Sequence, residues 1–471
     1  MVEFLKNIFK YVSVSLISKV FQALIVFGAA SVLIKVDFAN FAIFYSILQL
    51  IVVFIFAGLQ EVLIGKYLNK LKLGCSRTFL GNISVLLIFQ FLFISIIIFF
   101  YSFYFLNNNH LIVIVLLLSG LINSIIRLNS IVHQLEQNHS TSIKLFNSSI
   151  IIPNLIGVLI LFVAKSPESF FIGFFIGSIV NLFFHLKKLN FININTLKGN
   201  PLIILNKSYP FLLTSVIAYF YGIGLTLLLN LFLNLEQVAN YFFISQLIGV
   251  YLIIQGAFNQ VWNPIILNNN IYSKITIKVH ELLTSYLSYL IAILSGILIL
   301  FLDTILLILP ENLNKYIGLN LFVMLLSIGY IVFGHYNRAL IYYYYDDKFK
   351  NVFLRNNLIN DILGLLIVFA SIYFFGEIGL YSGLGLLFII KSLINIYPLL
   401  GILKINYKEI LFCILFVFLS YNISVAFTIN NFIFIFLCLI FLFSTIFAFN
   451  QNKNFKEIIF FIKNKKELND N

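Results

Sequence analysis

Charge, cysteine and tryptophan are all scarce in this sequence. Only 10% of its 471 residues are Asp, Glu, Lys or Arg, against about 25% in ordinary soluble domains. That excludes a normal water-facing surface over most of the chain. The three cysteines, Cys75, Cys413 and Cys438, show no CxxC or metal spacing, so a disulfide framework and a thiolate zinc site are not expected. No glycine loop leads into Lys and Ser or Thr. Gly376, Gly379, Gly383 and Gly385 have no strand before them and no such pair after them, so they do not form a nucleotide loop and suit close helix packing or bending instead. No stretch alternates apolar and polar residues as barrel strands do. Neither a nucleophile–base constellation nor a metal cluster is legible. The expectation is a non-enzyme without cofactor or metal.

What the chain does contain is hydrocarbon. It is 61% hydrophobic with 55 Phe, and runs such as Ile94–Phe100 and Leu111–Leu118 are apolar on every side. A helix needs about 20 apolar residues to cross a bilayer. Fourteen segments qualify: 12–34, 39–62, 81–105, 111–133, 147–164, 169–186, 210–233, 239–265, 282–302, 317–339, 353–375, 380–402, 410–427 and 432–449. Merging the weak ones lowers the count to twelve. The fold class is all-α and polytopic in the membrane. The first segment is long and no small-residue cleavage site follows it, so it is expected to remain and direct insertion.

Charge placement orients the segments. With the N-terminus inside, most of the 30 Lys and Arg fall in inner loops and at the two ends. The outer loops carry Asp37, Glu168, Glu236, Asp303, Glu311 and Glu377 against Lys35, Lys165 and Lys315. This is the positive-inside asymmetry, and it puts both termini in the cytoplasm. The net charge of +13 therefore signals orientation and contact with membrane lipids, not nucleic acid. The basic tail, 450–471, is expected to lie on the inner leaflet.

A faint internal repeat has an offset of 200 residues. Phe38-Ala-Asn-Phe41 aligns with Val238-Ala-Asn-Tyr241, Ala57 and Gln60 with Ala257 and Gln260, and Ser15 and Ile17 with Ser215 and Ile217. The copies share an orientation, as in transporters built from parallel repeats. The organisation expected from this is an N-terminal lobe at 1–206, a second six-helix lobe at 207–406, two further helices at 407–449 and the tail at 450–471.

Ser15-Leu-Ile-Ser-Lys-Val20, Phe38-Ala-Asn-Phe-Ala42 and Ala57-Gly-Leu-Gln-Glu61, with Ser208-Tyr-Pro-Phe-Leu-Leu213 and Gln237-Val-Ala-Asn-Tyr-Phe242, resemble polysaccharide repeat-unit flippases of the Wzx type. In that family a helix-opening proline and a glycine turn recur; here Pro210 takes the first place and Ala239-Asn240 the usual glycine region. The resemblance implies the multidrug/oligosaccharidyl-lipid/polysaccharide exporter superfamily, with two lobes, a central cavity and alternating access in the bacterial inner membrane. It implies an undecaprenyl-pyrophosphate-linked O-antigen or capsule repeat unit as substrate, and a glycan polymerase and chain-length regulator as partners. Lipid II flippases and multidrug/cation antiporters share the superfamily. One departure is Tyr221-Gly-Ile-Gly-Leu-Thr226, where many relatives carry a charged pair.

Four cations lie inside the apolar segments: Lys19, Arg127, Arg338 and Lys391. A cation at the centre of a membrane helix costs about 2.5–3.5 kcal/mol on insertion scales and marks a substrate or ion path. Lys391 sits mid-segment, beyond easy snorkelling, with Asn395 one turn on; it serves either phosphate oxygens or a buried acid such as Asp361. Arg127 shares a face with Asn123 and suits bidentate grip of a diphosphate, or else packs between helices. Arg338 and Lys19 lie nearer segment ends and reach either substrate or headgroups. Gln255, Asn259 and Asn263 form a stripe with Gln260 beside them, facing sugar hydroxyls or another helix; Gln60 holds the matching place on the second segment. Glu61, Asp361 and His335 are candidates for ion coupling.

Overall fold

A computed structural model describes residues 21–56, 58–60, 62–63, 67, 76–105, 110–136, 138–188, 201–220, 222, 224–267, 274–345, 347–399 and 407–426, some by backbone alone. The regular elements among them are helices: α1 (Phe21–Val32), α2 (Lys35–Phe56), α3 (Ser76–Phe105), α4 (His110–Leu135), α5 (His139–Ala164), α6 (Pro167–His185), α7 (Pro201–Tyr219), α8 (Leu225–Leu229), α9 (Leu235–Leu267), α10 (Lys274–Ile308), α11 (Asn320–Tyr345), α12 (Asp347–Ile396) and α13 (Tyr407–Ala426). Eight are long and apolar enough to cross a membrane, and α1 and part of α11 add shorter apolar helices. By its contacts the chain forms two compact units. The first comprises Met1–Ala257, Pro310–Lys315 and Ile372–Glu377; the second comprises Phe258–Leu309, Tyr316–Ser371 and Ile378–Asn471.

Three boundaries differ from the sequence reading. The turn expected around Lys35–Phe38 is helical, because Asp37 stands in the first turn of α2, where an acid favours the helix N-terminus. Pro201, not Pro210, opens α7; proline is preorganised for a first helical position and loses no needed N–H there. Segment 210–233 is not continuous. It breaks between α7 and α8 around Gly222 and Gly224, where the Gly222 carbonyl accepts a 2.9 Å bond from the Tyr241 hydroxyl. In hydrocarbon such a carbonyl needs internal partners, and Tyr241 and the Leu225 N–H, at 3.1 Å, supply them.

In the first unit, α5 and α6 are joined by a tight turn. Lys165 is left-handed (φ 52°), and its N–H returns to the Leu161 carbonyl at 2.8 Å. Ser166 caps α6, Pro167 opens it and Glu168 occupies its first turn. The two helices then approach closely through glycine, as membrane helices do. A Cβ at Gly177 would lie 2.6 Å from the Pro153 Cα. Gly177→Ala is therefore expected to cost about 1–3 kcal/mol by overpacking, lowering the thermal midpoint in detergent. Gly249→Ala, where nothing lies within 4 Å, is expected to leave it unchanged or raise it; equal effects at both sites would refute the packing account.

An aromatic core joins α2, α6 and α9. The Phe41 ring lies 5.0 Å from Phe170 and 6.3 Å from Phe242, and Phe38 and Tyr45 meet Phe242 at 5.7 and 5.9 Å. The two motif stretches aligned in sequence thus touch in space. α9 begins with a reciprocal cap: Gln237 N donates to Asn234 Oδ1 at 2.9 Å, and Asn234 N to Gln237 Oε1 at 3.2 Å. Two distant segments also dock in this unit. Asn240 Nδ2 donates to Glu377 Oε1 at 2.9 Å. From the 3-10 turn Glu311–Tyr316, Asn312 Nδ2 donates to the Ser31 carbonyl at 2.9 Å. Lys315 Nζ donates to the Ala30 carbonyl at 3.0 Å and also to that of Leu33. Ala30 and Ser31 lie in the last turn of α1 and Leu33 just beyond it, where carbonyls lack intrahelical partners, so a cation there also complements the helix dipole.

Burial, with the Lys35 charge, lowers the Lys315 amine from its ordinary range near 10.5 to about 8. The docked turn thus holds the proton less tightly than a free turn. Below about pH 8 both forms are charged and docking does not vary with pH; from about 8 towards 10.5 docking strengthens as the docked amine becomes neutral first. Spin labels at Ile34→Cys and Glu311→Cys, with native cysteines replaced, are expected to report a growing short-distance fraction over that window. Lys315→Met should flatten the response; a slope that persists would assign it to another group.

In the second unit α10 packs against α11 and α13. Asp303 accepts from Gly318 N at 2.9 Å and Asn320 Nδ2 at 2.8 Å, fixing the start of α11. A Cβ at Gly329 would lie 2.7 Å from the Gly385 Cα, so α11 and α12 meet backbone to backbone. α12 is a helical hairpin, not one rod: it reverses at Gly376 (φ 58°, ψ −133°), a conformation glycine adopts without steric penalty. The two arms pair as Ser371 with Gly383 and Gly364 with Leu387.

Candidate functional site

Two groups of polar residues within the apolar helices contain an intramembrane cation, one in each unit. In the first unit α4 brings Asn123 and Arg127 one turn apart on one face. Asn123 is buried, and its Nδ2 donates to Ser178 Oγ of α6 at 3.1 Å and to the Ser119 carbonyl at 3.0 Å. Arg127 lies within electrostatic reach of the Tyr45 phenol of α2, which Gln49 also bonds. The Arg127 Nε is buried and has no hydrogen-bond partner among the described residues. Asn181 of α6 is fully buried with neither side-chain atom bonded there. A guanidinium with an unbonded Nε–H keeps a donor available for an oxyanion. Gln60 is half-buried, and Gln255 is buried with its Nε2 unbonded.

In the second unit the hairpin supplies the chemistry. Lys391 Nζ lies 2.7 Å from Asp361 Oδ1, with side chains only 12% and 3% exposed. One turn further, Asn395 Nδ2 meets Asn357 Oδ1 at 3.5 Å and donates to the Lys391 carbonyl at 2.8 Å. Asn360 is buried with both side-chain polar atoms unbonded, and Asn395 Oδ1 is unbonded too. Of the two roles open to Lys391 in the sequence, pairing with Asp361 is thus present, with the Asn357–Asn395 contact one turn away.

Lys19 and Glu61 lie outside the described residues. Asn259, Gln260 and Asn263 fall on α9, and His335 and Arg338 on α11, but their side chains also lie outside them. Sequence reading missed Tyr45, Gln49, Ser178, Asn181, Asn357 and Asn360. Asn357 and Asp361 stand four residues apart, a spacing that would have shown the polar face. Tyr45 gave no such signal within the apolar run of α2. Among the described residues no group of three His, Cys, Asp or Glu could hold a metal ion.

No protein-family model matches the sequence, and no curated protein matches it. Solved structures do. The chain is similar to the lipid II flippase MurJ in an inward closed conformation, at 16% identity and a TM-score of 0.68, covering 96% of this chain and 99% of that one. It is also similar to the Vibrio cholerae MATE transporter VcmN in its bent form, at 14% identity and a TM-score of 0.53, covering 88% and 98%. The chain therefore has the multi-helix fold that these membrane transporters share.

Proposed function

We propose that this protein flips an undecaprenyl-pyrophosphate-linked oligosaccharide across the bacterial inner membrane, from the cytoplasmic to the periplasmic face. The observation that carries the reading is a part-buried cation on a membrane helix of each unit: Arg127, with a buried and unbonded Nε and Tyr45 within electrostatic reach, and Lys391 at Asp361. Cations in such places suit a diphosphate, whereas cationic drugs favour acids. In the first unit the fork of Arg127 suits phosphate oxygens and the amides Asn123 and Gln255 suit sugar hydroxyls; in the second, Lys391 offers a point charge and Asn395 an amide. Lys19 and Gln60 in the first unit and Arg338, Asn259, Gln260 and Asn263 in the second are further candidates for substrate contact, with Glu61 and His335 available to couple ions. The lipid tail stays in the bilayer. Transport proceeds by alternating access, both termini remain cytoplasmic, and the Glu311–Tyr316 turn lies on the periplasmic side. A glycan polymerase and chain-length regulator take the product.

Deletion of the gene tests the reading through the fate of the lipid-linked glycan. Loss of surface polysaccharide, with single repeat units trapped on the cytoplasmic face, is the expected result. Single units stranded on the outer face would mean a polymerase instead. Unchanged glycan with altered drug tolerance would mean an antiporter, and trapped lipid II would mean a flippase for that related diphosphate, the substrate named for MurJ.

A further inference from the structure

The Asp361–Lys391 pair does more than seat a cation, provided Lys391 binds the diphosphate as proposed above. Lys391 already has an anion at 2.7 Å, so a phosphate oxygen reaching its ammonium competes with the Asp361 carboxylate. An ionised carboxylate deprived of its counter-ion in an apolar interior is far costlier than a neutral acid. Nothing else described nearby replaces the lost charge. Asn357, Asn360 and Asn395 are neutral, and α11 contributes Tyr330, whose ring lies 4.6 Å from Phe388. Arg355, earlier on the same arm, is exposed. His335 and Arg338 follow on α11 with side chains outside the described residues.

We propose that Asp361 is a proton-exchange site linked to substrate: a lipid diphosphate that takes Lys391 drives uptake of one proton from water by Asp361, and its departure returns that proton as the pair re-forms. The charges balance. A carboxylate, an ammonium and a free proton become a carboxylic acid and an ammonium paired with phosphate. The proton offsets one negative charge of the load while it is away from water.

The test is calorimetric titration of undecaprenyl pyrophosphate into the full-length protein in detergent, in two buffers of different ionisation enthalpy. At about pH 7.5 a phosphate with a second pKa of about 6 is already almost fully ionised, so uptake reports a protein group. The wild type is expected to take up close to one proton per lipid bound, with Kd rising up to about tenfold per pH unit. Asp361→Asn is expected to bind the lipid with no uptake and a flat pH profile; Asp361→Ser provides a second neutral variant. Binding without uptake in the wild type, or equal uptake in the neutral variants, would overturn the exchange. Failure of the wild type to bind the lipid would overturn the reading of Lys391 as a substrate cation, and the exchange with it.

Discussion

Lys391→Ala is expected to abolish export and to destabilise the second unit by about 3–5 kcal/mol, the usual effect of stripping one partner from a buried ion pair. The reason is geometric. Asp361 is only 3% exposed and lies 2.7 Å from the ammonium, so truncation leaves the carboxylate with neither water nor counter-ion, and it must stay charged or take up a proton at a cost in stability. Removing both charges, as Lys391→Ala with Asp361→Ala, is expected to restore abundance because no orphan charge remains. Export should stay lost, because the cation is still missing. The readouts are protein level in the membrane and surface glycan. If the double variant exports normally, Lys391 is only half of a structural pair.

Arg127→Gln carries the opposite stability prediction. The Arg127 Nε has no hydrogen-bond partner among the described residues, and an arginine at the centre of a membrane helix costs about 2.5–3.5 kcal/mol on insertion scales. Its removal is expected to leave abundance unchanged or improved. Binding of undecaprenyl pyrophosphate should weaken roughly 10–100-fold, matching the loss of charge-assisted hydrogen bonds worth about 1.5–3 kcal/mol. Arg127→Lys should fall between, since charge remains and the fork is lost. Normal affinity in Arg127→Gln would make this arginine a packing residue. Two intramembrane cations that shift stability in opposite directions, yet both abolish or weaken substrate handling, would be hard to explain as framework alone.

The helical, membrane-embedded class was legible because uninterrupted hydrocarbon leaves few alternatives. Arg127 and Lys391, the two of the four intramembrane cations whose side chains are described, could also be found from sequence, since each breaks an apolar run. Their partners were harder to find. Asp361 was visible as a buried acid, but only the hairpin brings it to Lys391 across 30 residues of chain. Tyr45 reaches Arg127 because α2 packs on α4, and nothing local in an aromatic-rich helix marks one tyrosine among many. The break near Gly222 and Gly224 was hidden for the same reason, because hydropathy is blind to backbone continuity. Glycines 222 and 224 announced it only by residue type.

The reversal at Gly376 bears on how the protein enters the membrane. Asp361 and Lys391 are 30 residues apart and centred on that glycine, so the arms close register on each other as soon as both have been synthesised. Presented singly to lipid, each charged helix would meet the full barrier to insertion, about 2.5–3.5 kcal/mol per charge at mid-helix. Presented together, they enter as a hairpin whose charges already neutralise each other. The insertion machinery therefore receives the two helices as one substrate, and a residue added beside Gly376 would set the pair out of register and leave each arm to cross that barrier alone.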